Sequence, residues 1–151
     1  MNELSYSSIL VAATNFFAAS ILFAKNKGRG PVIIWGTFCL NIVFWGIGGF
    51  FASITKDREL AYTAWQVANI TSIFAPVIYC HFVSSFLNLN RKKLIFFSYF
   101  LGSLFFVINV FFRENFLGEL RFVHNQFYYI SWDNHVNPLY MVFYIIFYWG
   151  L

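Results

Sequence analysis

Polar side chains recur at helical spacing in the third apolar stretch of the chain. At intervals of three or four residues, one helix face carries Trp65, Asn69, Ser72 and Pro76, with Gln66 on its border. Polar groups in lipid need partners, so this face should contact other helices or a bound ligand. Proline has no N–H to donate to the helix backbone, which predicts a kink at Pro76.

A second row of polar groups lies in the last apolar stretch. Tyr140, Tyr144 and Tyr148 are spaced four residues apart and share one helix face. Their hydroxyls could line a pocket, but membrane helices also use tyrosine for packing and near interfaces.

Two interpretations therefore stay open. In the functional one, the two rows form a ligand pocket that opens outward, with Pro76 as its hinge. The predicted ligand-binding residues are then Trp65, Gln66, Asn69, Tyr140 and Tyr144. In the structural one, the same side chains hold helices together.

Histidines and cysteines give no sign of metal or haem chemistry. Cys39 and Cys80 lie in apolar stretches without zinc-ligand spacing and are expected to be packing residues. His81 lacks a second histidine at similar depth, because His124 and His135 fall in the outer loop. We predict no metal site, no cofactor and no catalytic residue, and the absence of a basic run argues against nucleic acid as a partner.

Membrane-spanning helices must position these residues. Apolar residues make up 60% of the 151-residue chain and charged residues only 11%, which is too few to cover a water-facing surface. A helix needs about 20 apolar residues to cross a bilayer. The predicted spans are residues 4–24, 31–54, 61–89, 94–112 and 138–151.

These spans predict an all-α membrane protein, a polytopic transmembrane helical bundle with four complete spans and a partial fifth. Asn137 and Pro138 should begin the fifth helix as its N-cap and first helical residue. The fifth span is too short to cross, so we expect residues 1–151 to be a partial transmembrane domain of a longer protein. In the preceding loop, β-prone runs beside His124-Asn125-Gln126 predict a small hairpin, or its aromatics lie in the outer interface.

Interior residues of the spans predict close packing. Asn15 and Asn41 should bond across helices near mid-membrane, and the glycines at 46, 48 and 49 should allow close backbone contact. No Asp, Glu, Lys or Arg falls inside a span, which argues against an ion-coupled transporter.

Local motifs support a family resemblance, and they run along most of the chain: Trp35-Gly36, Trp45-Gly46, Phe74-Ala75-Pro76, His81-Phe82 and Asn137-Pro138-Leu139-Tyr140. In layout and in these motifs, nearly the whole chain resembles the seven-helix membrane region found at the N-terminus of some bacterial sensor histidine kinases and diguanylate cyclases. The resemblance implies a signal-input module in the bacterial inner membrane, ahead of a cytoplasmic output domain.

Residues 1–151 contain neither the last two helices of that region nor a kinase or cyclase domain, so no enzymatic activity is expected here. The partners that this interpretation allows are the lipid bilayer, an unidentified small ligand or membrane signal, and a second copy in a homodimer of the full-length protein. Two rival interpretations are part of a transporter or channel and a fragment of a membrane-embedded enzyme.

Topology gives the first testable prediction. The connections with Lys25, Lys27 and Arg29, and with residues 91–93, are basic and contain no acid, so both should face the cytoplasm and the N-terminus should lie outside. A cysteine placed at Asp57 should react with an impermeant reagent added outside, whereas one at Gly28 should not. Labelling of Gly28 alone would show the opposite orientation.

Overall fold

The computed structural model describes residues 3–25, 28–124, 126–129 and 136–149. Its helices and strands are, in chain order, α1 (Glu3–Ala24), α2 (Gly30–Ile54), α3 (Arg58–Phe86), α4 (Lys92–Phe111), α5 (Arg113–Leu117), β1 (Leu120–Val123), β2 (Gln126–Tyr129) and α6 (Val136–Trp149). Four helices, α1 to α4, are long and apolar enough to cross a membrane, as expected of a multi-pass membrane protein. The prediction of a helical bundle with a small hairpin is confirmed.

Several predicted features lie outside the described residues: Lys27, the hairpin turn residue Asn125, His135, residues 150–151 of the fifth span, and the side chain of Tyr148. The hairpin itself is antiparallel, with Leu120 opposite Tyr129 and Val123 opposite Gln126.

Short connections make successive long helices antiparallel. Asp57 caps α3, because its Oδ1 accepts hydrogen bonds from the backbone N–H groups of Glu59 at 2.8 Å and Leu60 at 3.3 Å. At the opposite end of α3, a turn containing Asn88 in the left-handed region (φ 53°) leads into α4. We call the end of the bundle with β1 and β2 the hairpin end, and the end with residues 25–29 and 87–93 the basic end.

Glycines let α2 touch both of its neighbours. A Cβ added at Gly46 would lie 2.6 Å from the Ser8 carbonyl oxygen of α1, and one at Gly48 would lie 2.5 Å from the Ala64 carbonyl oxygen of α3. Backbones approach this closely only where side chains are absent. The predicted packing role of these glycines is confirmed.

A cluster of buried apolar side chains occupies the hairpin end. It joins α3, α4, α5, β1 and α6 through Tyr62, Phe105, Leu117, Leu120 and Tyr140. Outward-facing positions are also apolar, since Phe96 is 75% exposed and Phe111 is 74% exposed. Such a surface is stable in lipid and not in water, which matches the apolar spans.

Two details near α6 differ from the sequence prediction. The helix begins at Val136, so Asn137 and Pro138 lie inside its first turn, and Asn137 is not the N-cap. Proline is tolerated there because first-turn N–H groups have no partner within the helix. The short helix α5 had no apolar periodicity long enough to reveal it.

Overpacking at Gly48 tests the contact between α2 and α3. Gly48→Ala should lower the free energy of unfolding by about 1–3 kcal/mol, because its Cβ meets backbone atoms that cannot rotate away. Gly30→Ala is the matched control on the same helix, because the nearest atom to a Cβ added at Gly30 would be Ser85 Oγ, at an ordinary contact distance of 3.8 Å. Unfolding in mixed detergent measures both variants, and equal stability would contradict the close packing.

Candidate functional site

Trp65 connects α3 to the hairpin. Its indole Nε1 donates a hydrogen bond to the backbone carbonyl of Phe127 in β2 at 3.0 Å. The ring is half-buried against the apolar cluster at the hairpin end. A side chain from a spanning helix therefore holds the strand that lies above it.

Gln66 and Asn109 form a reciprocal clamp between α3 and α4. Gln66 Nε2 donates to the Asn109 carbonyl at 2.7 Å, and Asn109 Nδ2 donates to the Gln66 carbonyl at 3.0 Å. Each amide thus bonds the other residue's backbone. Asn109 Oδ1 is buried and accepts no hydrogen bond among the described residues. Gln66 therefore has a structural role in addition to its predicted place beside a pocket.

Asn69 behaves differently from Gln66. Its Nδ2 donates to the Trp65 carbonyl, four residues earlier on the same helix, at 3.0 Å. The residue is only 5% exposed. This hydrogen bond stays within α3. Hydrogen bonds between α3 and its neighbouring helices are made by other residues, among them Gln66, Asn109, Asn41 and Thr71.

Tyr140 and Tyr144 approach the same cluster from α6. The Tyr140 ring lies 5.6 Å from Phe105 and 5.3 Å from Phe116, centroid to centroid, and 6.3 Å from Tyr144. Tyr140 is 8% exposed, whereas Tyr144 is half-buried. The fold thus brings Tyr140, Tyr144 and Trp65 to one cluster, whereas helical spacing predicted only which residues share a face within each row.

Pro76 lies further along α3, toward its middle. The helix runs unbroken through it, and the residue is fully buried. Beside it, α4 comes close at Gly102, where an added Cβ would lie 3.2 Å from Val77 Cγ2. The missing N–H of Pro76 removes one backbone bond from α3, so this is the weakest point of its hydrogen-bond ladder.

A second reciprocal clamp, which the sequence only half revealed, joins α2 to α3. Asn41 Nδ2 donates to the Thr71 carbonyl at 3.0 Å, and Thr71 Oγ1 donates to the Asn41 carbonyl. The predicted bond across helices is confirmed for Asn41. It is wrong for Asn15, whose Nδ2 donates within α1 to Val11 at 2.9 Å. An amide on an outer helix with fewer neighbours bonds its own backbone instead.

Tyr62 is a site residue that the sequence reasoning missed. Its hydroxyl donates to the Gly118 carbonyl at 3.1 Å, and the guanidinium carbons of Arg58 and Arg113 lie 5.8 and 5.0 Å from its ring centroid. Arg113 also pairs with Glu59 at 2.7 Å. The spacing of Arg58 and Tyr62 was a usable signal, but the partners after Phe112 come from the tertiary fold.

The described histidine and cysteine side chains of the spanning helices pack between helices. His81 Nδ1 lies 3.2 Å from the Tyr99 hydroxyl, which links α3 to α4 near the basic end. Cys39 and Cys80 are buried and not bonded to each other. Within the described part of the chain, no group of three potential metal ligands comes together. What the candidate site offers is aromatic area, amide hydrogen bonds and one weakened helix, a combination suited to binding and relay.

The clamp between Asn41 and Thr71 gives a stability prediction. Thr71→Val keeps the shape of the side chain and removes the donor to the Asn41 carbonyl, and it should cost about 0.6–2 kcal/mol in the free energy of unfolding. Thr63→Val is the control, because Thr63 Oγ1 bonds its own helix at 3.1 Å and the residue is exposed. Similar losses for both variants in a detergent unfolding titration would show that the clamp contributes nothing.

Comparison with protein-family models, curated protein sequences and solved structures finds no match for this chain, and its function must therefore be argued from its own residues.

Proposed function

We propose that this chain is the membrane-embedded signal-input region of a bacterial signal-transduction protein of the histidine kinase or diguanylate cyclase type. It sits in the inner membrane with its N-terminus and hairpin outside, and its output domain is cytoplasmic. The ligand or membrane signal is sensed at the hairpin end by Trp65, Gln66, Asn69, Tyr140 and Tyr144, and α3 responds about Pro76.

The hydrogen bond from Trp65 to Phe127 is the observation that carries this proposal. It joins an extramembrane strand directly to the helix that contacts α2, α4, α5 and α6. A ligand that shifts the hairpin must also move Trp65 or break this bond. Either change acts directly on α3, because Trp65 is a residue of that helix.

The location of those clamps supports a hinge. Residues 66 and 71 of α3 are held to α4 and α2, and both precede Pro76. Beyond Pro76, His81 Nδ1 lies 3.2 Å from the Tyr99 hydroxyl of α4. A helix whose backbone hydrogen-bond ladder is interrupted at a proline can have two packings of similar energy, which switching requires.

Charge distribution favours this proposal over ion-coupled transport. Among the described residues, the charged side chains of α1 to α4 lie in the first turns of their helices, at Glu3, Arg58, Glu59, Lys92 and Lys93. Ion-coupled transporters usually place ionisable groups at membrane depth. A neutral interior with aromatic walls is better suited to sensing.

Two substitutions test the proposal in the full-length protein. Trp65→Phe keeps an aromatic ring and removes the indole donor, and Asn69→Ala removes an amide that donates to the Trp65 carbonyl of its own helix. Each should abolish the signal response or shift its threshold, while stability falls by no more than about 1 kcal/mol, the size of one hydrogen bond. Output phosphorylation or cyclic-dinucleotide synthesis gives the response, and detergent unfolding gives the stability.

Asn15→Ala is the matched control, because Asn15 makes the same kind of bond to its own helix in α1. It should leave the response unchanged. A normal response in the Trp65 and Asn69 variants, accompanied by lower stability, would show that these residues only hold the bundle together. Solute flux into proteoliposomes that contain the protein would instead favour a transporter or channel.

A further inference from the structure

An apolar groove lies at the basic end, far from the candidate ligand site. It runs between α1, α2 and α3, has a volume of about 200 Å³, and is lined by aliphatic and aromatic side chains. We call it the basal groove, and its walls are Leu22, Pro31, Val32, Trp35, Phe82 and Phe86.

Stacked aromatic rings form one wall of the basal groove. Trp35 lies 4.7 Å from Phe82, and Phe82 lies 5.7 Å from Phe86, between ring centroids. Trp35 also stacks on Phe38 at 5.0 Å with an interplanar angle of 14°. Together these rings present an apolar surface against which a hydrocarbon chain can pack.

The surroundings of the basal groove are positively charged. Lys25 follows Leu22 by one helical turn, and Arg29 is two residues before Pro31; both are exposed. The connection after Phe86 adds three further basic residues at 91–93. Every acidic residue that the structure describes lies instead at the hairpin end, at Glu3, Asp57, Glu59, Glu114 and Glu119.

We infer that the basal groove binds one acyl chain of an anionic phospholipid, whose phosphate is held by Lys25 and Arg29. The apolar walls match hydrocarbon, and the adjacent cations match a negative headgroup. A zwitterionic lipid would gain the same apolar contact but little from the charges. This inference concerns lipid binding and does not depend on a sensing function.

Brominated lipids provide a direct test, because bromine quenches only nearby tryptophan. The full chain is reconstituted in phosphatidylcholine vesicles that contain a small fraction of dibrominated phosphatidylglycerol or dibrominated phosphatidylcholine. The chain has five tryptophans, so the Trp35 signal is obtained as the difference from a Trp35→Phe variant. We expect phosphatidylglycerol to quench Trp35 at a roughly thirtyfold lower lipid fraction, which is the combined effect of about two basic residues near the headgroup.

Charge and shape variants identify the site. The preference is the ratio of the two lipid fractions, phosphatidylcholine to phosphatidylglycerol, that quench Trp35 equally. The double variant Lys25→Gln, Arg29→Gln should bring this ratio close to one, whereas Lys56→Gln at the hairpin end should leave it unchanged. Val32→Phe should fill the basal groove and reduce quenching by both lipids. Its control is Ile33→Phe, because Ile33 is the next residue on α2 and is 41% exposed.

Three results would overturn the inference. Equal quenching of Trp35 by both lipids would indicate ordinary annular lipid. A preference that survives removal of Lys25 and Arg29, or that disappears with Lys56→Gln, would place the headgroup elsewhere. Equal effects of Val32→Phe and Ile33→Phe would show that no chain enters the groove. Native mass spectrometry of the same variants with phosphatidylglycerol gives a second readout that requires no tryptophan.

Discussion

Polar groups within apolar helices have no water to bond, so they must find partners inside the protein. This constraint governs the contacts of α3 more than any other. Two residue pairs satisfy this constraint in the same way: Asn41 with Thr71, and Gln66 with Asn109. In each pair, the side chain of each residue donates a hydrogen bond to the backbone carbonyl of the other. Breaking either pair would leave buried amides and carbonyls without partners, and for that reason the clamps fix the register of α2 and α4 on α3.

Close packing then follows from residue size. The glycines of α2 allow α1 and α3 to come within backbone contact on two sides of the same helix. Aromatic side chains fill the wider space at the hairpin end, where α5, β1 and α6 meet α3 and α4. The two ends of the bundle consequently differ. One is rich in aromatic and polar contacts and carries the acidic residues, and the other is basic and contains an open apolar groove.

In the proposed signal-input function, the hairpin end is the sensing end and the basic end is the opposite one. Trp65 couples the strand β2 to α3 at the hairpin end, and Pro76 provides a weak point in the middle of that helix. A lipid held beside Lys25 and Arg29 would steady the opposite end, where α1, α2 and α3 would otherwise meet lipid with few polar contacts.

Local residue pattern predicted the apolar helices and the helix faces that carry Trp65, Asn69 and Tyr140, and it offered the hairpin as one of two interpretations of the outer loop. These features are local, because helical spacing and composition act over a few turns of chain. It also indicated that glycines would pack closely, since small residues in apolar helices have that use.

The partner of each polar group follows from how the helices pack against one another. Asn41 bonds across to α3 whereas Asn15 bonds its own helix, although both are amides in apolar helices. Tyr62 gained its function from Gly118 and Arg113, more than fifty residues away, and the basal groove exists only where three helices meet. Such choices depend on distances between segments that are remote in the chain, and local residue pattern carries no information about those distances.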